Sequence, residues 1–257
     1  MKHKNKVVLI TGAAQGLGLA CAERFLSEGS KVFLVDVQAD KLKEEAERLG
    51  TNAAWYAADL SKIDSTLATT IVAKAVDTFG ALDIVICNAG IIHTAEFIDF
   101  PEDVFDRIQC VNVKSPFLIG QAAARVMIER GIKGAIINMS SINAILANPN
   151  AVGYAVSKGG VKQLTAVMAV ALIKHGIRVN AIGPGTISTE LVKNSVMANE
   201  EQRDMVLSRT PIGRLGKASE VAGVASFLAS EDASYIVGQT IYPDGGRLVL
   251  NYTMSVA

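Results

Sequence analysis

The sequence predicts a doubly wound α/β fold, a parallel seven-stranded sheet covered by helices on both faces. Short runs rich in valine and isoleucine alternate with longer stretches of helical period along the whole chain. The runs are apolar throughout rather than at every second residue, as befits strands buried on both faces of a parallel sheet. A glycine cluster, TGAAQGLG at 11 to 18, separates the first run from the first helical stretch, and an acid closes the second run.

The predicted strands are Val7 to Thr11, Lys31 to Asp36, Ala53 to Asp59, Leu82 to Asn88, Gly134 to Ser140, Ile177 to Gly183 and Gly238 to Pro243. Between them lie helices such as LGLACAERFLSEG, stopped by Gly29, and KLKEEAERLG, stopped by Gly50. A further helical stretch, Asp103 to Met127, contains a proline. Pro116 has no N–H to offer the Asn112 carbonyl four residues back, so a kink with that carbonyl left free is expected. The mixed segment Ser188 to Thr210 reads as a mobile lid. The tail from Gly246 to Ala257 is too apolar for a solvated end and is expected to pack in a subunit interface or to close a pocket. With no linker, low-complexity run or repeat, residues 1–257 read as one domain.

Lys plus Arg and Asp plus Glu each total 25, which argues against a nucleic-acid or acidic-membrane partner and favours a small, weakly charged one. Cys21, Cys87 and Cys110 are scattered, without metal or redox spacing, so buried thiols of a reducing compartment and no metal are expected. The basic start and the run to Ile10 lead into TGAAQG rather than a cleavage region, so a secretory signal is rejected. The uncharged stretch Gly134 to Ser157 is interrupted by Asn138, Asn143, Asn148, Pro149 and Asn150, which argues against a membrane span. A soluble, cytoplasmic protein is expected.

Gly12, Gly16 and Gly18 would let a pyrophosphate approach the backbone at a helix N-terminus, although a glycine cluster after a strand also serves as a plain tight turn. Asp36 stands 18 residues after Gly18, close to the spacing of an acid that accepts hydrogen bonds from an adenosine ribose. A carboxylate there repels a 2′-phosphate, and Gln15, Val37 and Gln38 carry no charge to neutralise one, so NAD is expected over NADP. Asp59 and Leu60 follow the third strand, where a carboxylate can meet an adenine amino group. Asn88, Ala89 and Gly90 follow the fourth, leaving room for adenosine. Each of these could also be a turn signal.

With TGAAQGLG, NAG at 88 to 90, Asn112 in VNVK, Ser141, YAVSK at 154 to 158, PGTIST at 184 to 189 and PDGG at 243 to 246 in one register, the chain resembles the short-chain dehydrogenases/reductases in their compact, single-domain Rossmann form. The resemblance spans nearly the whole chain. It implies a catalytic set of Asn112, Ser141, Tyr154 and Lys158, with Tyr154 as the acid/base and Ser141, 13 residues before it, chosen over Ser140. It further implies cofactor contacts from Gly12, Gln15, Gly16, Leu17, Gly18, Asp36, Val37, Asp59, Leu60, Asn88, Ala89, Gly90, Tyr154, Lys158, Pro184, Gly185, Ile187 and Thr189, and assembly as a homotetramer. The chemistry is coherent: a phenol of ordinary pKa about 10 needs a nearby cation to act as a base, and Lys158 at i+4 shares a helix face with Tyr154. The Asn112 carbonyl is expected to hold a water leading from Lys158 to solvent.

Substrate residues are sought in His93, Asn143, Ile145, Asn148, Asn150 and Leu191. Their amide side chains suit a hydroxyl-rich sugar or polyol, although asparagines in such a loop are equally turn formers. The expected reaction is oxidation of a secondary alcohol to a carbonyl. A 3-oxoacyl carrier-protein reductase is the main rival, followed by a non-catalytic NAD-binding sensor and a sugar epimerase.

Overall fold

The computed structural model describes residues 1–189, 192 and 199–254. β1 (Val7–Thr11) is buried at every position and lies at the centre of the sheet, because its alternate residues feed two separate cores. β2 (Lys31–Asp36) and β3 (Ala53–Ala57) extend the sheet on one side. β4 (Ile84–Cys87), β5 (Ala135–Met139), β6 (Arg178–Ile182) and β7 (Thr240–Ile241) extend it on the other, giving a seven-stranded parallel order of β3-β2-β1-β4-β5-β6-β7. The two edge strands are less buried than the centre. β7 is shorter than the predicted Gly238 to Pro243, since Gly238 takes a left-handed φ of 73° and Pro243 has no N–H to continue a ladder.

One face is covered by α1 (Gly16–Ser27), α2 (Ala39–Leu49) and α8 (Ala218–Ala229), with Phe25, Leu42, Val221 and Leu228 packed on Val8, Ile10, Val32 and Leu34. The other is covered by α3 (Ser65–Phe79), α5 (Ser115–Glu129) and α6 (Val152–Leu172), with Ile71, Ile119, Met127 and Met168 packed on Leu9, Phe33 and Val85. The parity of the strands thus decides which helix layer each side chain meets. Cys21 and Cys87 are buried in these cores, and burial pushes both thiols up to about 12, so they pack as small apolar groups.

The stretch predicted as one kinked helix is built differently. α4 (Glu102–Gln109) passes into a single wide π turn, Cys110–Lys114, and then into α5. The Ser115 N–H donates to the Cys110 carbonyl five residues back. This change of register falls beside Pro116, so the missing donor is absorbed by a local π turn rather than by a sharp break. Glu200–Leu207 forms α7 within the predicted lid, and the Met254 N–H donates to the Ser208 carbonyl at 2.6 Å, which ties the tail to that segment.

Candidate active site

A cavity of about 810 Å³ opens at the C-terminal ends of the central strands, where β1 and β4 lie side by side and the strand order reverses. An open α/β sheet has its natural crevice at this point, since connections leave in opposite directions on either side. Its wall contains Gly12, Gln15, Leu17, Asp36, Val37, Asp59, Leu60, Asn88, Ala89, Gly90, Ser141, Tyr154, Lys158, Pro184, Gly185, Ile187 and Thr189, which unites most of the predicted contacts in one place.

The glycine turn is shaped for close approach. Gly12 has φ 64°, and a Cβ there would lie 2.8 Å from the Cα of Ala89. A Cβ on Gly18 would run into the Gly12 carbonyl, so the first turn of α1 sits directly against the loop. Asn88, predicted as a cofactor contact, acts on this turn. Its Nδ2 donates to the carbonyls of Thr11 at 2.9 Å and Gly12 at 3.0 Å, while Thr11 Oγ1 accepts from the N–H groups of Asn88 and Ala89. A bare cradle of glycines at a helix N-terminus, braced from behind, fits the pyrophosphate of a dinucleotide.

Asp36 is nearly buried. Its Oδ2 accepts from the Ala14 N–H at 3.1 Å and its Oδ1 from the Gln38 N–H at 3.1 Å, so the carboxylate is held rigidly at the cavity wall with lone pairs to spare. Lys41 Nζ donates to Gln15 Oε1 at 2.7 Å, bringing an ammonium to the rim of the glycine turn. Asp59 caps its own turn, accepting from Ser61 N–H at 2.9 Å and Ser61 Oγ at 2.7 Å. Those bonds hold its carboxyl below the ordinary value, so it stands ionised as an acceptor.

Tyr154 and Lys158 project from the first two turns of α6. Lys158 Nζ lies 5.4 Å from the Tyr154 ring centroid and donates to the Met139 carbonyl at 2.7 Å. Burial lowers its pKa to about 8. Burial also raises the Tyr154 phenol, partly offset by a hydrogen bond with Ser141. Ser141 Oγ accepts from the Asn143 N–H at 3.1 Å, which fixes the hydroxyl beside the phenol. Ser140, which also borders the cavity, donates its hydroxyl to the Lys158 carbonyl at 3.1 Å.

Asn112 is buried, and its side chain is fully engaged. Oδ1 accepts from the Ile91 N–H at 2.9 Å, and Nδ2 donates to the Ile91 carbonyl at 3.0 Å and to Ser157 Oγ at 2.9 Å. Ser157 in turn donates to the Tyr154 carbonyl at 2.7 Å. The amide therefore clamps the loop after β4 to the helix that carries the Tyr and Lys.

The loop Gly185–Thr189 is braced from below. Its Ser188 N–H donates to the Gly216 carbonyl at 2.8 Å, the Gly216 N–H to the Thr186 carbonyl at 3.0 Å, and the Gly185 N–H to the Pro243 carbonyl at 3.1 Å. Of the residues predicted to face substrate, none of His93, Asn143, Ile145, Asn148 and Asn150 lines the cavity, whereas Ile91, Ile92 and Val192 do. Asn148 Oδ1 accepts from the Asn150 N–H at 3.1 Å, so it shapes a turn. The Asn150 carbonyl accepts from the Ala95 N–H at 2.9 Å, and His93 packs edge-on against Phe100 at 5.6 Å. Leu191 lies outside the described residues. Arg107, which was not predicted, contributes to the wall, as do Leu60 and Val111.

Residues 12–247 match the model of a family described as enoyl-(acyl carrier protein) reductase. The chain is 40% identical to an L-rhamnose 1-dehydrogenase (NAD(P)(+)) from Sphingomonas sp., over 96% of this chain and 97% of that protein. The chain is a short-chain dehydrogenase/reductase. A glucose 1-dehydrogenase from Gluconobacter oxydans is 39% identical, over 95% of this chain and 92% of that protein. A solved short-chain type dehydrogenase/reductase from Mycobacterium marinum superposes with a TM-score of 0.89 at 34% identity, covering 96% of both chains. Membership of this family makes the chain an NAD(P)-dependent oxidoreductase acting on CH–OH groups.

Proposed function

We propose that this short-chain dehydrogenase/reductase oxidises a secondary hydroxyl of a sugar or polyol, with NAD as the preferred cofactor and Tyr154 as the base. The observation that carries the reading is the convergence of Ser141, Tyr154 and Lys158 on the wall of a cavity that Asp36 also lines. The glycine turn, Asp36 and the Gly185–Thr189 loop would hold the cofactor. When bound, the nicotinamide supplies the acceptor, or in reverse the donor, of a hydride. Ser141 donates a hydrogen bond to the substrate oxygen. Tyr154 takes the hydroxyl proton, and the Lys158 ammonium, still protonated below about pH 8, favours the phenolate against the burial that opposes it. The Asn112 carbonyl is assigned a water that links Lys158 to solvent.

The substrate class rests on the sugar-acting relatives, not on the asparagines, of which Asn148 accepts from its own loop. A screen of aldoses and polyols with NAD and NADP, and of a 3-oxoacyl thioester with NADH and NADPH, tests it. Turnover of aldoses or polyols well above the thioester supports the reading, and preference for the thioester overturns it.

The choice of NAD rests on Asp36. Asp36→Asn is expected to shrink the preference for NADH over NADPH about tenfold, because it removes the charge that repels a 2′-phosphate and leaves Lys41 at the rim to meet one. Fluorescence titration of both reduced cofactors measures this, and an unchanged ratio would count against the role of Asp36.

A homotetramer is proposed as well. The outward face of α6 exposes Val156, Val167 and Val170, and the tail exposes Val249 and Tyr252, surfaces that a free monomer would leave in water. Val170→Asp is expected to lower the mass of the assembly measured by light scattering at micromolar concentration. An unaltered mass would place the interface elsewhere.

A further inference from the structure

We propose that Arg107 is a cofactor-binding residue that clamps the adenine ring. The proposal rests on the dinucleotide reading of the cavity and adds a residue to it.

Arg107 sits near the end of α4, one turn before the π segment. Two contacts fix where that part of the helix lies. Cys110, three residues on, directs its Sγ to the Ser61 carbonyl at 3.2 Å, so this stretch runs beside the turn that follows β3. Val111, four residues on and therefore on the same helix face, lines the cavity together with Leu60, Ser61 and Ile91. The cavity wall at this end is thus apolar side chains, the ionised Asp59 and the Arg107 side chain. A flat heteroaromatic ring that carries an amino group suits such a wall: apolar surface for its faces, a carboxylate for its amino group and a guanidinium for its π system.

The guanidinium is available for this task. Among the described residues it forms no hydrogen bond or ion pair, although it borders a carboxylate-bearing turn. Asp59 does not claim it, because one carboxylate oxygen is committed to Ser61 and the other lies 3.7 Å from Lys62 Nζ. Arg24, Arg48, Arg178 and Arg214 are held by carboxylates or carbonyls, and Arg107 is the arginine that combines a guanidinium without such a partner with a place on the wall of this cavity. The acids of α4 itself, Glu102, Asp103 and Asp106, do not pair with it either.

The test uses the full-length protein and two ligands, NADH and 5′-AMP, which contains the adenine half alone. Dissociation constants are measured by fluorescence and calorimetry for the wild type, Arg107→Ala and Arg107→Lys, with the mass of each assembly recorded in the same buffer. Arg107→Ala is expected to weaken both ligands by the same factor, roughly five- to twentyfold, the range of a cation placed over an aromatic face. Arg107→Lys is expected to restore part of the loss. Affinity for 5′-AMP within about twofold of wild type would overturn the proposal, as would a loss that appears only together with a changed assembly mass, which would assign Arg107 to a subunit contact. Failure of the wild type to bind NADH would instead strike the dinucleotide reading itself.

Discussion

Tyr154→Phe is expected to lower kcat by about 10²–10⁴-fold in either direction while leaving the dissociation constant for NADH within about twofold of wild type. The substitution removes one oxygen and keeps the ring that packs beside Lys158, so cofactor binding and folding lose little. What disappears is the phenol hydrogen-bonded to Ser141. Burial raises that phenol above its ordinary value, so in the wild type the base form grows as pH rises and alcohol oxidation is expected to accelerate with pH up to about 8, where Lys158 begins to lose the charge that favours the phenolate. The residual rate of the Phe variant should lack this dependence. Stopped-flow measurement of NADH formation, paired with a binding titration, separates the two effects. A variant that keeps a rate within tenfold of wild type would remove Tyr154 from the role of base.

Lys158→Met is expected to act on activity and stability in opposite senses. Loss of the ammonium deprives the phenolate of its nearby charge, and kcat is expected to fall by about 10²-fold or more, with NADH binding weakened as well. Stability responds through linkage. The ordinary lysine pKa of 10.5 falls to about 8 in the folded protein because the amine is buried, a depression equivalent to roughly 3 kcal/mol. Below pH 8 folded and unfolded chains both carry the proton, and the full penalty of burying the charge is present. Between 8 and 10.5 the unfolded chain holds a proton that the folded chain has shed, so wild-type stability rises with pH. Methionine has no such dependence. In cofactor-free protein the Met variant should therefore melt at or above the wild-type temperature at pH 7, even after losing the bond to the Met139 carbonyl. That advantage should shrink by pH 9.5. Keeping below pH 10 avoids the titration of Tyr154 and Tyr242, both raised by burial. A difference in Tm that does not change with pH would show that Lys158 is not buried as a cation.

Lys158 also shows what the sequence could and could not reveal. Lys162 follows it at the next helical turn and is exposed, whereas Lys158 is 3% exposed. Nothing in residue type or local period separates the two, and only the tyrosine four residues earlier marked the first as special. The strands were legible because short, uniformly apolar runs bounded by turn residues suit little besides a strand covered on both faces, and their order follows from short right-handed crossovers. The glycine turn was legible because left-handed φ values and backbone contact leave glycine little competition. The asparagines after Ser141 were misleading for a simple reason: an amide that could face a sugar can also accept from its own backbone, and Asn148 does so. Arg107 was invisible, because an arginine on the polar side of a short amphipathic helix looks like a solvated charge until the π turn beside it fixes where the helix lies. The role of the Asn112 side chain was hidden likewise, since its partner Ile91 is 21 residues away.

The adjacency of β1 and β4 has a consequence for how such a molecule can change. Asp36 and Asp59, the acids expected to meet adenosine, belong to the β1–β3 half, and Asn112, Ser141, Tyr154 and Lys158, together with the proposed adenine contact Arg107, belong to the half that begins at β4. The halves meet along the pairing of Val8–Ile10 with Ile84–Ile86 and through the bonds of Asn88 to Thr11 and Gly12. Groups that far apart in function share few partners, so alterations on the two sides should combine nearly additively in free energy. Coenzyme choice and substrate choice are thereby separable inheritances: one can drift or be exchanged while the other stays in place, and the seam between them is where both would fail together.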